Sequence, residues 1–371
     1  MSAIVEGGIL HCERLRADGI SVLDEAKFAS PSWEISMPQP TVVVAGTGFT
    51  ALRQYMNEQL PGVRLEMIAP ADLRKNGFAA DVLIPAMARI DGEMMDRVEG
   101  LRLIQQWGTG LEGVDIEAAT HRRIAVARVP SAGSGNAESC AEWCVMAARA
   151  VSRRLSVAQE TIRAGAGWGV PRGRAMMGRT AGIIGLGGIG QALAVRLKPF
   201  GMRLIGLQRR PDPALAERLG LEWIGGPEQL PELLRQSDYL FLCAPLTEET
   251  RELIDERALA LLPEQACIIN PARGGLLSTK ALLQALSEGR LMGAALDVYE
   301  QEPLDHNSPL LGRNDVLTTP HIAGVTDISY GGIGQRVAEN VRRLLAGETL
   351  QNCVNWDAIA WPPSTVGIKS S

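Results

Sequence analysis

The residues GLGGIG at 185–190 leave little choice about the fold of their surroundings. They follow directly on the apolar stretch Ala181 to Ile184, and Ile189, Ala192, Leu193 and Leu197 then recur at helical spacing. Such a pattern marks a strand-to-helix turn. There glycine permits a tight bend and a close approach by pyrophosphate, while the exposed amides and dipole of the helix attract negative charge. A dinucleotide site is expected at Gly185, Gly187, Gly188, Ile189 and Gly190. The plainer alternative, a glycine-rich turn without a ligand, fits this context less well.

The same rhythm runs through most of the chain. Apolar runs at 41–46 (TVVVAG), 81–86 (DVLIPA), 101–106 (LRLIQQ) and 124–129 (IAVARV) alternate with helix-compatible segments. A second series begins at 181–187 and continues through 203–208, 239–244, 266–270, 293–298 and 316–320. Near-continuous apolar strands of this kind fit parallel sheets covered on both faces, which makes the fold class α/β. A length of 371 residues exceeds what one core usually serves, so two domains are expected. One long helix from about Ala137 to Ala164, ending at GAGWGVPRGR (165–174), reads as a connection between them. A second, roughly Asp327 to Leu345, reads as the return. The first 40 residues suggest no function.

Composition narrows the partners. With 46% hydrophobic and 21% charged residues the chain is of the soluble globular class. A formal charge of −5 without long charged runs points to neither nucleic acid nor an anionic membrane. Cys12, Cys140, Cys144, Cys243, Cys267 and Cys353 show no CxxC spacing and no nearby histidines, so reduced thiols and no metal are expected. Glu6, Glu13 and Asp18 interrupt any leader-like start, and the uncharged stretch Thr180 to Val195 is too short and glycine-rich for a membrane span. The expected location is cytoplasmic.

Cofactor choice is written at the end of the strand after the glycine turn. An acidic residue there usually grips the ribose hydroxyls of NAD. This chain has Gln208, followed by Arg209 and Arg210, whose charge and forked donors suit a ribose 2′-phosphate. NADP is therefore expected ahead of NAD, with either arginine as the contact.

Three further segments, IINPARGG (268–275), ALDVYEQEP (295–303) and TTPHIAG (318–324), follow or end apolar strands, where a doubly wound sheet places its ligand crevice. Together with GLGGIG and LFLCAPLTEETRELI (240–254) they closely resemble the D-isomer-specific 2-hydroxyacid dehydrogenases, a family that includes glyoxylate/hydroxypyruvate reductases and phosphoglycerate dehydrogenases. The resemblance covers about residues 100–345. It implies two Rossmann-like doubly wound domains, with a cofactor domain (146–324) inserted into a flavodoxin-like substrate domain (1–145 and 325–371), and a homodimer.

The resemblance also implies residue roles. Arg273 would hold the carboxylate of a small 2-hydroxy or 2-oxo acid, as a guanidinium is suited to do. His321 would exchange the proton with the substrate oxygen, and Glu302 would orient His321 and favour its charged form. Glu300 is a weaker rival for that last role. Asp297 and the groups from His321 to Gly324 would meet the nicotinamide carboxamide; otherwise Asp297 is a strand-end aspartate. Pro271 and Ala272 would lie beside the cofactor, with Cys243 and Pro245 along its ribose-pyrophosphate side. In QQWGTGLEGVD (105–115), the amides at Thr109 and Gly110 would receive the substrate carboxylate. Gln106 and Trp107 depart from many relatives and disfavour a phosphorylated acid. ESCAEW (138–143) matches a helix start. A dinucleotide-sensing scaffold of the co-repressor type is the alternative function, and a formate dehydrogenase ranks lower because TPHIAG lacks the glutamine-containing pattern.

Overall fold

A computed structural model of the chain describes residues 39–46, 50–165 and 167–359. Residues 1–38, with Cys12, and the tail beyond Ile359 lie outside the described residues, as do the expectations attached to them. Five parallel strands form one sheet: β1 (Thr41–Ala45), β2 (Arg64–Ile68), β3 (Val82–Ile84), β4 (Leu103–Gln105) and β5 (Ala125–Ala127). Their spatial order is β2-β1-β3-β4-β5, the flavodoxin-like arrangement.

Seven more form a second parallel sheet: β6 (Thr180–Ile184), β7 (Arg203–Leu207), β8 (Trp223–Gly225), β9 (Tyr239–Leu242), β10 (Ala266–Asn270), β11 (Leu291–Leu296) and β12 (Val316–Thr318). The order β8-β7-β6-β9-β10-β11-β12 is that of a Rossmann sheet with one added strand. It reverses between β6 and β9. A crevice opens at such a reversal, and the glycine turn after β6 stands at its mouth.

Side chains alternate across each strand, so every strand feeds two cores. Ile183, Phe241 and Cys267 enter the core on one face of the second sheet, while Ile184, Leu240 and Ile268 enter the other. In the first sheet, Val42, Val44 and Ile84 divide in the same way from Val43, Leu83 and Ile104. Because both faces are covered, the strands read as unbroken apolar runs. Edge strands β2 and β8 carry no such signal: Arg64-Leu65-Glu66-Met67-Ile68 alternates polar with apolar and is only partly covered.

The expected single helix from 137 to 164 is two: α1 (Asn136–Ser152) and α2 (Leu155–Arg163). The break has a local cause. The amide of Arg174 donates to the Ser152 carbonyl at 2.7 Å, taking an acceptor that a continuing helix would use, and Arg154 turns to φ +50°. The buried face of α1 (Cys140, Trp143, Cys144, Ala147 and Val151) joins the core of the second sheet beside Leu193 and Phe241. The last helix described, α4, spans Asp327–Ala346 and returns Ile333, Val337, Val341 and Leu344 to the core of the first sheet; α3 (Gly188–Leu197) follows the glycine turn. Where the two crossings meet, Ser139 Oγ lies 2.7 Å from Thr326 Oγ1 and Asn136 Nδ2 donates to Ser329 Oγ at 3.2 Å.

Candidate active site

Each glycine of the turn answers a different demand. Gly185 has φ +96° and lies against the Cys243–Ala244 backbone, and a Cβ on Gly190 would overlap the Gly185 carbonyl oxygen. Gly188 faces Ser131 and Ala132 of the opposite loop. Gly187 is different: its φ is −74°, and a Cβ there would meet no atom within 4 Å. Nothing among the described residues requires glycine at this position. The open space lies at the start of a helix whose first-turn amides have no intrahelical acceptor, an arrangement that fits a pyrophosphate. Ile189 continues the turn as a partly buried residue of α3 packed on the core.

At the end of β7 the Gln208 amide donates to the Gly225 carbonyl at 2.9 Å, while its side-chain Oε1 is buried with no partner among the described residues. A buried acceptor left open beside a dinucleotide turn fits a ribose hydroxyl. Arg209 and Arg210 are exposed and form no ion pair or side-chain hydrogen bond among the described residues. The charge of Arg209 still reaches Glu249. Across the crevice, Cys243 is partly buried and Pro245 is exposed. Burial pushes the Cys243 thiol up and that of Cys140 to about 12, so both act as packing groups rather than nucleophiles.

The turn after β10 is stapled by Asn270, whose Nδ2 donates to the Arg273 carbonyl at 2.9 Å and whose Oδ1 accepts from the Ala272 amide at 3.1 Å. Pro271 and Ala272 are buried by this fold-back, and Arg273 projects from it. A Cβ on Gly274 would overlap the Tyr299 carbonyl, so the arginine turn is pressed onto the loop that carries Glu302.

His321 and Glu302 meet directly, Nδ1 to Oε2, at 2.7 Å. The other Glu302 oxygen accepts from the Tyr299 amide at 3.0 Å. Burial alone would raise the Glu302 carboxyl, but the hydrogen bond and charge of His321, the Tyr299 amide and the Arg273 charge outweigh it and hold it below the usual carboxylate range. Glu300 is otherwise engaged, accepting from the Thr279 amide at the start of a helix.

Asp297 is fully buried at the end of β11. Its carboxylate accepts from Thr319 Oγ1, from the Ile322 amide at 2.8 Å and from the Ala323 amide at 2.7 Å, and its carbonyl accepts from the His321 amide at 2.8 Å. These bonds hold His321 at φ +55°, a conformation unfavourable for most side chains. Its first duty is therefore to the histidine turn. Gly324 follows against Asn136 and Cys140.

From the first sheet, the loop after β4 reaches the arginine. Gln106 Nε2 donates to the Gly110 carbonyl at 2.6 Å, Thr109 Oγ1 donates to the Val129 carbonyl, and the amides of Thr109 and Gly110 donate to nothing among the described residues. Arg273 Nε lies 3.0 Å from Glu112 Oε1 across the cleft.

Comparison with known proteins fits this geometry. Residues 145–323 match the profile of the D-isomer specific 2-hydroxyacid dehydrogenase NAD binding domain. A glyoxylate reductase of Thermococcus litoralis is 36% identical over 283 residues, which are 74% of this chain and 83% of that one. The chain belongs to the D-isomer-specific 2-hydroxyacid dehydrogenases. A D-3-phosphoglycerate dehydrogenase of Methanocaldococcus jannaschii is 37% identical over 279 residues, 74% of this chain, which spans about half (52%) of that longer relative. Among solved structures, the apo D-lactate dehydrogenase of Escherichia coli superposes with a TM-score of 0.73 at 29% identity, covering 85% of this chain and 99% of its own.

As a member of this family the chain is a nicotinamide-dependent oxidoreductase acting on small 2-hydroxy or 2-oxo acids. The named relatives are oxidoreductases and none is a cofactor-sensing scaffold. No helix among the described residues is long and apolar enough to cross a membrane. Glu112, Asn270 and Thr319 also stand at the site, each inside a segment that the sequence marks (105–115, 268–275 and 318–324); for Asn270 and Thr319 the available signal was a side chain able to staple a turn.

Proposed function

We propose that this enzyme reduces a small 2-oxo acid without a phosphate group, such as glyoxylate, the substrate named for several relatives. The contact between His321 and Glu302 on the turn facing Arg273 carries the reading. Arg273 holds the carboxylate, helped by the free amides of Thr109 and Gly110. With Nδ1 engaged by Glu302, His321 Nε2 has no partner among the described residues and is placed to give a proton to the substrate oxygen in reduction and to take it back in oxidation. Glu302 fixes the ring. Gly185 to Gly190 and Gln208 would hold the cofactor, with Pro271, Ala272, Cys243, Pro245, Gly324 and Asp297 around it; when bound, the nicotinamide would supply or accept the hydride. Residues 146–324 form its domain, to which α1 leads.

The unpaired Arg209 and Arg210 favour NADPH over NADH, since a 2′-phosphate would give them a partner. We further propose a cytoplasmic homodimer. The helix α2 buries no residue, leaves Leu155 and Ile162 exposed, and lies beside the loop carrying the fully exposed Trp168. The five described cysteines are free thiols, in keeping with a reducing compartment.

A panel of glyoxylate, hydroxypyruvate, pyruvate and phosphohydroxypyruvate, run with NADPH and NADH, tests substrate and cofactor together. We expect the phosphorylated acid to be poorest and NADPH to be preferred. In Arg209→Ala or Arg210→Ala the NADPH kcat/KM should fall by about tenfold or more relative to the NADH value, as for a hydrogen bond to a charged group. Equal losses with both cofactors, or a native preference for NADH, defeat the NADP reading.

A further inference from the structure

Arg273 already has a carboxylate. Its Nε donates to Glu112 Oε1 at 3.0 Å, its Nη2 to Glu112 Oε2 at 3.4 Å, and its Nη1 to the Ala272 carbonyl at 2.6 Å. Two N–H groups directed at two oxygens of one carboxylate is the fork geometry with which a guanidinium recognises an acid. A 2-oxo acid needs the same donors. Glu112 belongs to the first sheet's loop and Arg273 to the turn after β10, so the pair spans the cleft. It also lies against the loop whose amides are free: a Cβ on Gly110 would overlap Arg273 Nη2 and stand 2.5 Å from Glu112 Oε2.

We propose that Glu112 is an internal carboxylate ligand of Arg273, holding the substrate position until the acid displaces it. The inference rests on the role of Arg273 proposed above. Both side chains are partly exposed, 31% for Arg273 and 42% for Glu112, so solvent screens the pair and leaves it exchangeable. An incoming acid replaces it by making the same fork while adding contacts to the Thr109 and Gly110 amides that Glu112 leaves unused. Because Glu112 is tethered, it competes at every substrate concentration and raises the apparent dissociation constant of any carboxylate by the reciprocal of the fraction of time it leaves Arg273 free. The pair also closes the guanidinium to stray anions when no substrate is present.

The test uses the full chain with reduced cofactor bound and titrates oxamate, an unreactive isostere of a 2-oxo acid, alongside steady-state kinetics with glyoxylate. Glu112→Gln and Glu112→Ser should each lower the oxamate Kd and the glyoxylate KM by about two- to fivefold, the range for an exposed ion pair, with kcat changing less than KM. Unchanged or weaker oxamate binding in both variants overturns the proposal. Arg273→Ala separates the two claims. If it binds oxamate as tightly as the native chain, the assignment of Arg273 fails; if it loses oxamate while the Glu112 variants gain nothing, only the inference about Glu112 falls.

Discussion

His321 and Glu302 form a pair whose members depend on each other. The carboxylate orients the imidazole, and in the proposed mechanism the ring delivers a proton to the substrate oxygen. In Glu302→Gln the ring loses its charged hydrogen-bond partner, so kcat/KM for reduction should fall by about tenfold or more while the dinucleotide Kd holds, and an unchanged kcat/KM would show that the pair plays no part. Stability follows a definite sign as well. A carboxyl held below its usual range adds stability above its unfolded value and loses it as pH falls through the lowered one. The melting gap between native and Glu302→Gln chains should therefore be present near neutrality and close in acid. Arg273, Glu302 and His321 were legible because each sits in a short motif at a strand end. Glu112 was not, because its partner lies 161 residues away and only folding brings them together. Asp297 was legible as a strand-end aspartate, but its four bonds to the histidine turn depend on two strand ends becoming neighbours.

Among the elements, the glycine turn offers a contrast that separates folding from binding. Gly190→Ala places a methyl group on the Gly185 carbonyl and should destabilise the fold by about 1–3 kcal/mol, the usual result of overpacking. Gly187→Ala meets nothing, at a φ any residue adopts, so stability should stay within about 0.5 kcal/mol. Its methyl group would instead stand where the ligand approaches, and the dinucleotide Kd should weaken by about tenfold. Thermal melts and a cofactor titration on both variants check this; unimpaired binding by Gly187→Ala would place the dinucleotide elsewhere. Strands buried on both faces were readable from their unbroken apolar runs. Edge strands β2 and β8 were not, since half-covered edges need no such run, and the break after α1 was hidden because its cause, the Arg174 amide, arrives from beyond the following loop.

At the scale of the whole molecule, the described apolar cores do not mix. Those of the second sheet draw only on residues 140–323, and those of the first on 42–129 together with 333–359. A fragment of residues 136–324 should therefore fold cooperatively and bind dinucleotide alone, whereas residues 39–135 should not without α4, which supplies Val337, Ala338 and Val341 to their core. Circular dichroism melts and a cofactor titration on the two fragments check this; a disordered 136–324 fragment would mean that the sheets depend on each other. The division has a consequence for how such proteins diversify. Arg273, Glu302, His321 and the glycine turn travel as one contiguous cassette, while the loop of Thr109, Gly110 and Glu112 is encoded apart from it. Recombination at the two crossings can therefore exchange the loop proposed to greet the acid while leaving the proposed reactive groups and the glycine turn in register, so new substrates become reachable without rebuilding the chemistry.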